Sequence, residues 1–151
     1  WIETTDPALV VAATDDDDLN AAIGRAAREA GVLVNRADRS GGRERGSVVV
    51  PATVWDDPVG VAVTTGGTSP AVSRRLRREL ESTIEGAGAV ATVVADLRAA
   101  LKARSIDPTR RREAVRAVAG ADTVWAVARE TGDERRVREV ADRIVADALD
   151  G

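Results

Sequence analysis

The chain lacks cysteine, histidine and methionine, and its only aromatic residues are three tryptophans. Without cysteine or histidine it cannot form disulfides, use a thiol nucleophile, perform histidine acid–base chemistry or build a Cys/His zinc site. Any metal binding or proton transfer therefore depends on carboxylate, amide or hydroxyl oxygens. No apolar run approaches the ~20 residues of a membrane span and no signal peptide is visible, so we expect a soluble, cytoplasmic protein.

The chain also has no excess of positive charge. Its 151 residues carry a formal net charge of −3, whereas modules that bind nucleic acid usually carry a basic excess. The charges are nevertheless separated, with acid at Asp15–Asp18 and arginine within Arg36–Arg45 and Arg74–Arg78. This pattern favours an anionic small molecule over a nucleic acid. With 44% hydrophobic residues, the chain can form one compact α/β core with a helical extension.

The segment Leu9–Asp38 is predicted to form a strand–helix–strand unit. Its two apolar runs, Leu9–Ala13 and Val32–Val34, are typical of parallel strands that are buried on both faces. Between them, apolar residues recur at helical spacing. Asp15–Asp18 favour a helix N-terminus and Gly31 favours a helix end.

Polar side chains follow both predicted strands, at Thr14–Asp16 and Asn35–Asp38. Ligands of open α/β sheets bind beyond the carboxyl ends of the strands. Thr14, Asn20 and the N–H groups at the helix start can hold a nucleotide, and an ordinary N-cap with an acidic first turn is an equally good interpretation. Asp38 is suited to proton transfer or to a divalent ion, or it is a turn residue before a glycine-rich loop.

Around this unit the sequence indicates an incomplete sheet. We expect Trp1–Ala8 to be a loop, and a start at Trp1 without any methionine indicates a piece of a longer product that begins partway through a Rossmann-like sheet. Arg39–Gly46 is predicted to be a mobile Gly/Arg loop. Ser47–Val50 is predicted to be a third strand, ended by Pro51.

A hairpin and a series of helices are predicted downstream. Thr53–Trp55 and Val59–Thr64 alternate around a turn containing proline, which is typical of a β-hairpin, and the exposed edge of this hairpin favours pairing with another subunit. In the next helix Leu76 and Leu80 are expected to face inward. The predicted helices are about Pro70–Ile84, Ala89–Lys102, a segment opened by Pro108, and Asp133–Leu149, with Gly120 and Gly132 as interruptions.

The stretch Thr64–Pro70, TTGGTSP, is the second candidate site. Its two glycines permit an unusual backbone path, Thr68 or Ser69 can cap the next helix, and Pro70 fits the first helical turn. The N–H groups of such a loop can cradle an anion, with charge added by the arginines of Arg74–Arg78. The alternative is a plain turn and cap, followed by arginines that form a solvated face with nearby glutamates.

In their order, these segments resemble the siroheme synthase N-terminal family, whose members are precorrin-2 dehydrogenases and, in some cases, also sirohydrochlorin ferrochelatases. The matching segments are LVVAATDDDDLN, GVLVNRAD, VVVPATV, PVGVAVTTGGTSPAVSRRLRRELE and DLRAALK. The glycine-rich nucleotide-binding segment that precedes this region in the family is absent. The resemblance implies part of a Rossmann-like NAD-binding domain over 1–52, a dimerisation hairpin and helix over 53–85, and a helical C-terminal domain over 86–151.

The resemblance also implies functional residues. Asp38 is implied to be the catalytic carboxylate and, where ferrous iron (Fe2+) is inserted, a transient metal ligand, while Thr14, Asp15 and Asn20 are implied to border NAD. Arg74 and Arg78 are suited to the carboxylates of a tetrapyrrole, because arginine binds carboxylates at two points. The remaining residues expected at the tetrapyrrole are Asn35, Thr65, Gly66, Gly67, Thr68 and Ser69.

The expected function is NAD-dependent oxidation of precorrin-2 to sirohydrochlorin by a homodimer in siroheme biosynthesis, with ferrous iron insertion as a second activity. One alternative is a non-catalytic tetrapyrrole-binding or dimerisation module that lacks the nucleotide-binding half. Another is an NAD-linked oxidoreductase that acts on a different anion.

Overall fold

A computed structural model describes residues 2–39 and 44–150 of the chain. The chain divides into two compact units, the first formed by Trp1–Ala52 and Ala62–Arg77 and the second by Thr53–Val61 and Arg78–Gly151. The elements are α1 (Ile2–Thr5), β1 (Leu9–Ala12), α2 (Asp17–Glu29), β2 (Leu33–Arg36), β3 (Ala52–Asp56), β4 (Val59–Val63), α3 (Pro70–Ile84), α4 (Ala87–Ala103), α5 (Pro108–Ala119), α6 (Asp122–Thr131) and α7 (Glu134–Asp150).

The predicted strand–helix–strand unit is confirmed as β1–α2–β2. The two strands are parallel and in register from Leu9 opposite Leu33 to Ala12 opposite Arg36. Their shared core consists of Val10, Ala27 and Val34. This places the carboxyl ends of both strands at the same edge, as the sequence predicts.

Burial of both strand faces was predicted, and this is wrong for the described chain. Leu9, Val11 and Leu33 are 44%, 59% and 48% exposed. Side chains alternate between the two faces of a strand. Helix α2 covers the face that carries Val10 and Val34, so the side chains that alternate with them stay in contact with water.

Two further predictions in this unit are wrong. Ile2–Thr5 form a short helix within the predicted loop Trp1–Ala8, because Ile2 packs against the core of β1, α2 and β2. Ser47–Val50 do not form a strand and meet β2 at one bridge, between Ser47 and Val34. The left-handed φ of +84° at Gly46 turns the chain immediately before that bridge. Residues 40–43 of the predicted loop lie outside the described residues.

The β-hairpin prediction is confirmed by the pairing of β3 with β4. Asp57 and Pro58 form its turn and are joined by a cis peptide bond. Within the second unit, Val54, Ile84 and Ala87 form a small buried cluster that Leu80 also contacts. Leu76 is exposed, contrary to prediction, because the apolar contacts of α3 are concentrated in its C-terminal half.

Helices α4 to α7 enclose the larger core. Asp107 caps α5 by accepting the N–H of Thr109 at 2.8 Å, while Gly120 and Gly132 end α5 and α6 as predicted. The buried members of this core are Val90, Val93, Leu97, Leu101, Ala114, Val118, Val124, Ala128, Val137, Ala141 and Val145. Among the described helices, none has both the length and the apolarity needed to cross a membrane.

Candidate functional site

Hydrogen bonds from the side chain of Asn20 hold the backbone that follows β1. Its side chain is completely buried. Its Oδ1 accepts the N–H of Thr14 at 3.0 Å and the Thr14 hydroxyl at 2.9 Å, and its Nδ2 donates to the Thr14 carbonyl at 2.9 Å. Both ends of the amide are therefore used within the chain. Asn20 therefore positions Thr14, and the expectation that Thr14 and Asn20 border NAD stays a prediction.

The start of α2 is capped by a side chain of the acidic run. Asp16 Oδ1 accepts the N–H groups of Asp18 and Leu19 at 2.9 and 3.0 Å. These are N–H groups that an anion at a helix N-terminus would otherwise use. The ordinary capping interpretation is therefore correct for Asp16. Asp15 and Asp17 are exposed beside it.

Asp38 lies just beyond β2 and is bound by Arg36. The Arg36 guanidinium donates from Nε to Asp38 Oδ1 at 3.1 Å and from Nη2 to Oδ2. The side chains are only 14% and 12% exposed. The hydrogen bonds from Arg36 hold the pKa of Asp38 below its ordinary value, with further lowering by the charges of Arg36 and Arg39. Asp38 is therefore ionised at neutral pH, in the form that accepts a proton.

The side chain of Asn35 binds the segment that follows the loop. Its Nδ2 donates to the carbonyl of Val48 at 2.7 Å, and the N–H of Val48 donates to the carbonyl of Val34 at 2.7 Å. These bonds hold the segment after Gly46 against β2. Asn35 thus positions neighbours of the candidate site through its amide.

The TTGGTSP stretch folds into a turn that is held by its own hydroxyl groups. Thr65 Oγ1 accepts the N–H of Ser69 at 3.2 Å and lies 3.2 Å from the Ser73 hydroxyl. The Thr68 hydroxyl donates to the Thr65 carbonyl at 2.6 Å. Gly66 and Gly67 have φ values of +66° and +84°, which explains the two glycines. The N–H of Val72 donates to Ser69 Oγ at 3.4 Å, so the predicted turn is present and Ser69 caps the helix.

A cavity of about 400 Å³ lies in the first unit beside this turn. Its volume is within the range of small-molecule sites. Apolar residues form one part of its lining and two arginines another, and Arg39 also pairs with Glu44 at 3.5 Å. The lining residues are Arg39, Val49, Val50, Pro51, Ala52, Val63, Thr64, Thr65, Gly67, Pro70, Ser73 and Arg74.

The structure brings only some of the predicted residues to this cavity. Thr65, Gly67 and Arg74 line it. Gly66, Thr68 and Ser69 belong to the same turn but do not line the cavity, and Arg78 belongs to the second unit. Asp38 is the sequence neighbour of the lining residue Arg39.

Sequence reasoning missed several contributors. Arg36 and Arg39 flank Asp38 in the run NRADR, and this alternation of charge was a usable signal that a guanidinium holds the carboxylate. Val49 and Val50 were assigned to a third strand, whereas they line the cavity. In the described part of the chain, no three Asp or Glu residues group together as a metal site.

Comparison with known proteins identifies the families and the fold that this chain resembles. Residues 1–52 match the family described as putative NAD(P)-binding, and residues 56–83 match the central domain of sirohaem biosynthesis proteins. The fold is similar to a solved structure of SirC, precorrin-2 dehydrogenase, with a TM-score of 0.61 and 19% identity over 90% of this chain and 64% of that one.

Curated relatives give the same assignment. Siroheme synthase 1 of Aeromonas salmonicida is 36% identical over 92% of this chain and 29% of its own length. The siroheme synthase of Chromobacterium violaceum is 38% identical over 94% of this chain and 30% of its own. That of Methylococcus capsulatus is 40% identical over 69% and 22%. The chain thus spans less than a third of these relatives, and it belongs to the siroheme synthase N-terminal family.

Proposed function

We propose that this chain is part of an NAD-dependent precorrin-2 dehydrogenase that produces sirohydrochlorin in siroheme biosynthesis. The observation that carries the proposal is an ionised carboxylate, Asp38, adjacent in the chain to an arginine of a largely apolar cavity. The names of the curated relatives support the pathway. We assign the reaction to the full-length protein, in the cytoplasm.

The cavity suits part of a tetrapyrrole. Val49, Val50 and Val63 offer an apolar surface for the edge of a macrocycle, while Arg39 and Arg74 offer guanidinium groups for its carboxylates. Thr65 and Gly67 shape the same wall. Gly66, Thr68, Ser69 and Asn35 are proposed to act beside this surface by shaping it. Arg78 is separately proposed to bind a carboxylate of the substrate.

The dinucleotide fits the start of α2 only in part. The Asp16 carboxylate already occupies N–H groups that would bind a diphosphate, whereas Asp15 and Asp17 present exposed carboxylates. Carboxylates accept hydrogen bonds from ribose hydroxyls and repel phosphate. Asp15 is therefore proposed to bind a ribose of NAD, with Thr14 held in place by Asn20. When bound, NAD supplies the acceptor for the hydride.

Asp38 is proposed to take the proton. Oxidation of precorrin-2 removes two electrons and a proton from the ring as hydride and releases a second proton. The Asp38 carboxylate, kept ionised by Arg36, accepts that second proton and passes it to water. Ferrous iron, where it is inserted, is a substrate that Asp38 binds transiently.

We also propose a domain assignment and an assembly. Residues 1–52 form the NAD-binding part, 53–85 the dimerisation part and 86–151 the helical part. The proposed homodimer pairs through the hairpin β3–β4, which offers an exposed Trp55 for such a contact. Aromatic side chains are enriched in protein interfaces.

An anaerobic assay of the full-length protein tests the proposal. Precorrin-2 and NAD are added and the sirohydrochlorin absorption spectrum is followed, with ferrous iron added afterwards. We expect product only with NAD. Asp38→Asn should abolish turnover while leaving the oligomer intact, and Asp122→Asn, an equivalent change on exposed α6, should retain it.

The negative outcomes separate the alternatives. If the wild-type protein binds precorrin-2 without oxidising it, the non-catalytic tetrapyrrole-binding module is correct. If it does not bind precorrin-2 at all, the tetrapyrrole assignment is wrong. Near-normal turnover by Asp38→Asn would remove this residue from the mechanism.

A further inference from the structure

A second cavity lies within the second unit, between α4 and α5, and the part of this unit formed by α4 to α7 is called the helical unit below. It measures about 310 Å³ and is lined by Arg98, Arg111, Arg112, Val115 and Arg116. Four of these five residues carry a positive charge. Arg98 lies in the family-matching segment DLRAALK, but the proposed reaction does not use this cavity.

Little negative charge within the chain neutralises these arginines. Among the described residues, no carboxylate lies within 4.0 Å of the guanidinium groups of Arg98, Arg111 or Arg116. Arg112 donates to the hydroxyl of Thr109 at 3.1 Å. Asp107 is near enough for Arg111 and Arg112 to contribute to the lowering of its pKa, but its Oδ1 accepts the N–H groups of Thr109 and Arg110.

The position of the arginines opposes the stability of α5. Arg110, Arg111 and Arg112 lie near the N-terminus of the helix, where its dipole disfavours positive charge. Arg112 and Arg116 are four residues apart, a spacing at which like charges repel. Arg110 gains a hydrogen bond to the carbonyl of Leu149 at the end of α7. In the described chain the Arg111 guanidinium makes no such bond, and Arg116, although its place in the last turn of α5 suits the helix dipole, is repelled by Arg112.

We infer that this cavity binds a compact oxyanion with more than one negative charge, of the diphosphate or tricarboxylate type. Guanidinium groups from two helices converge on it, and each can donate two parallel hydrogen bonds to a phosphate or a carboxylate. Val115 contributes an apolar patch to the lining. A multivalent anion also removes the repulsion between Arg112 and Arg116, so binding stabilises the helical unit.

The test titrates the full chain with inorganic pyrophosphate and, separately, with citrate by isothermal titration calorimetry at low ionic strength. The double variant Arg111→Gln/Arg116→Gln is compared with Arg135→Gln/Arg136→Gln, which removes the same charge from exposed positions of α7. Thermal unfolding of each protein is measured with and without the anion. Far-ultraviolet circular dichroism verifies that both variants retain their helices.

We expect saturable binding to the wild-type protein, at least about tenfold weaker binding to Arg111→Gln/Arg116→Gln, and a change within about twofold in the α7 control. The unliganded cavity variant should unfold at the wild-type temperature or above it, because repulsion is relieved. Tighter binding of pyrophosphate assigns the site to phosphates, and tighter binding of citrate assigns it to carboxylates. Absence of binding by both anions, or equal weakening in both variants, overturns the inference.

Discussion

Arg36, two positions earlier in the chain, keeps the Asp38 carboxyl ionised. Arg36 contacts both carboxylate oxygens, and the pKa of Asp38 is lowered as a result. At the residue scale this pair separates two roles that a carboxylate can have. A general acid would need a raised pKa, whereas Asp38 is ionised over the neutral range and can accept a proton there, although the lowered pKa also makes it a weaker base.

Removing Arg36 should move the acidic limb of the pH–rate profile. Arg36→Val raises the pKa of Asp38 towards its ordinary value, so kcat/KM of the full-length protein should begin to fall at a higher pH as acid is added. Arg36→Lys keeps the charge without the two-point contact and should give an intermediate shift. If the acidic limb of the pH–rate profile is the same in wild type and in both variants, Asp38 is not the titrating base.

The same pair should make stability depend on pH. The pKa of Asp38 is lower in the folded chain than in the unfolded chain, so its stabilisation is present above the unfolded value of about 3.9 and is lost as pH falls through the folded value. The difference in unfolding free energy between wild type and Arg36→Val, from urea titrations, should shrink across that interval. A difference that stays constant down to the lowest pH would contradict the coupling.

Substitution of Asn20 should lower the free energy of unfolding of the first unit. Asn20→Ala removes three hydrogen bonds and leaves the Thr14 carbonyl and N–H without this partner, so we expect a loss of about 1–3 kcal/mol in urea unfolding. Arg25→Gln, at an exposed position of the same helix, should stay within about 0.5 kcal/mol of wild type. Equal stability of the two variants would show that the Asn20 hydrogen bonds contribute little.

At the scale of elements, the hairpin turn and the first turn of α4 are joined by close backbone contact. The N–H of Gly88 donates to Asp56 Oδ2 at 3.0 Å, and a Cβ at Gly88 would lie 2.3 Å from the carbonyl oxygen of Asp57. No real side chain fits at that separation. Glycine is required here because another element's backbone occupies the space, although its φ is ordinary.

Gly88→Ala should therefore destabilise the second unit. Alanine improves helix propensity by about 1 kcal/mol, but separating the turn from α4 should cost more, about 3 kcal/mol or above. Gly120→Ala is a control, since its nearest contact is the Arg116 carbonyl at 3.3 Å and it ends a helix. Thermal unfolding should rank Gly88→Ala well below Gly120→Ala, and the reverse order would contradict the close packing.

At the scale of the whole molecule, the two units differ in how much apolar core they contain. The described core of α4 to α7 has eleven buried apolar residues, whereas the core of β1, α2 and β2 has three. Apolar burial is the main source of stability, and local opening is easiest where it is least. The helical unit should therefore be the more protected of the two.

Hydrogen exchange measured by mass spectrometry should show this difference, with slower exchange in α4 to α7 than in β1, α2 and β2. Leu101→Ala should lower the unfolding free energy by about 2–5 kcal/mol, because Leu101 is 2% exposed within the larger core. Its effect on protection should be confined to α4 to α7. Equal protection across both units, or a Leu101→Ala effect spread over the whole chain, would show that they unfold as one.

Much of the chain's organisation follows from local patterns. Helical spacing and capping residues predicted α2, α3, α4 and α7, a Pro-containing turn predicted the hairpin, and the TTGGTSP turn followed from glycine and hydroxyl chemistry. These predictions succeed because each depends on contacts within a few residues. The absence of cysteine and histidine likewise restricted any reactive group to oxygen ligands, independent of the fold.

Only the tertiary structure decided what the polar side chains do. Asn20 and Asp38 were both candidates for ligand contact, yet the amide of Asn20 is used to hold Thr14 while Asp38 is paired with Arg36. The exposed faces of β1 and β2 and the single bridge at Ser47 also depend on which elements lie nearby. The arginine cavity between α4 and α5 has the same origin. Residue spacing alone does not determine these contacts, because the folded backbone decides which nearby side chains meet and which distant elements cover a strand face or line a cavity.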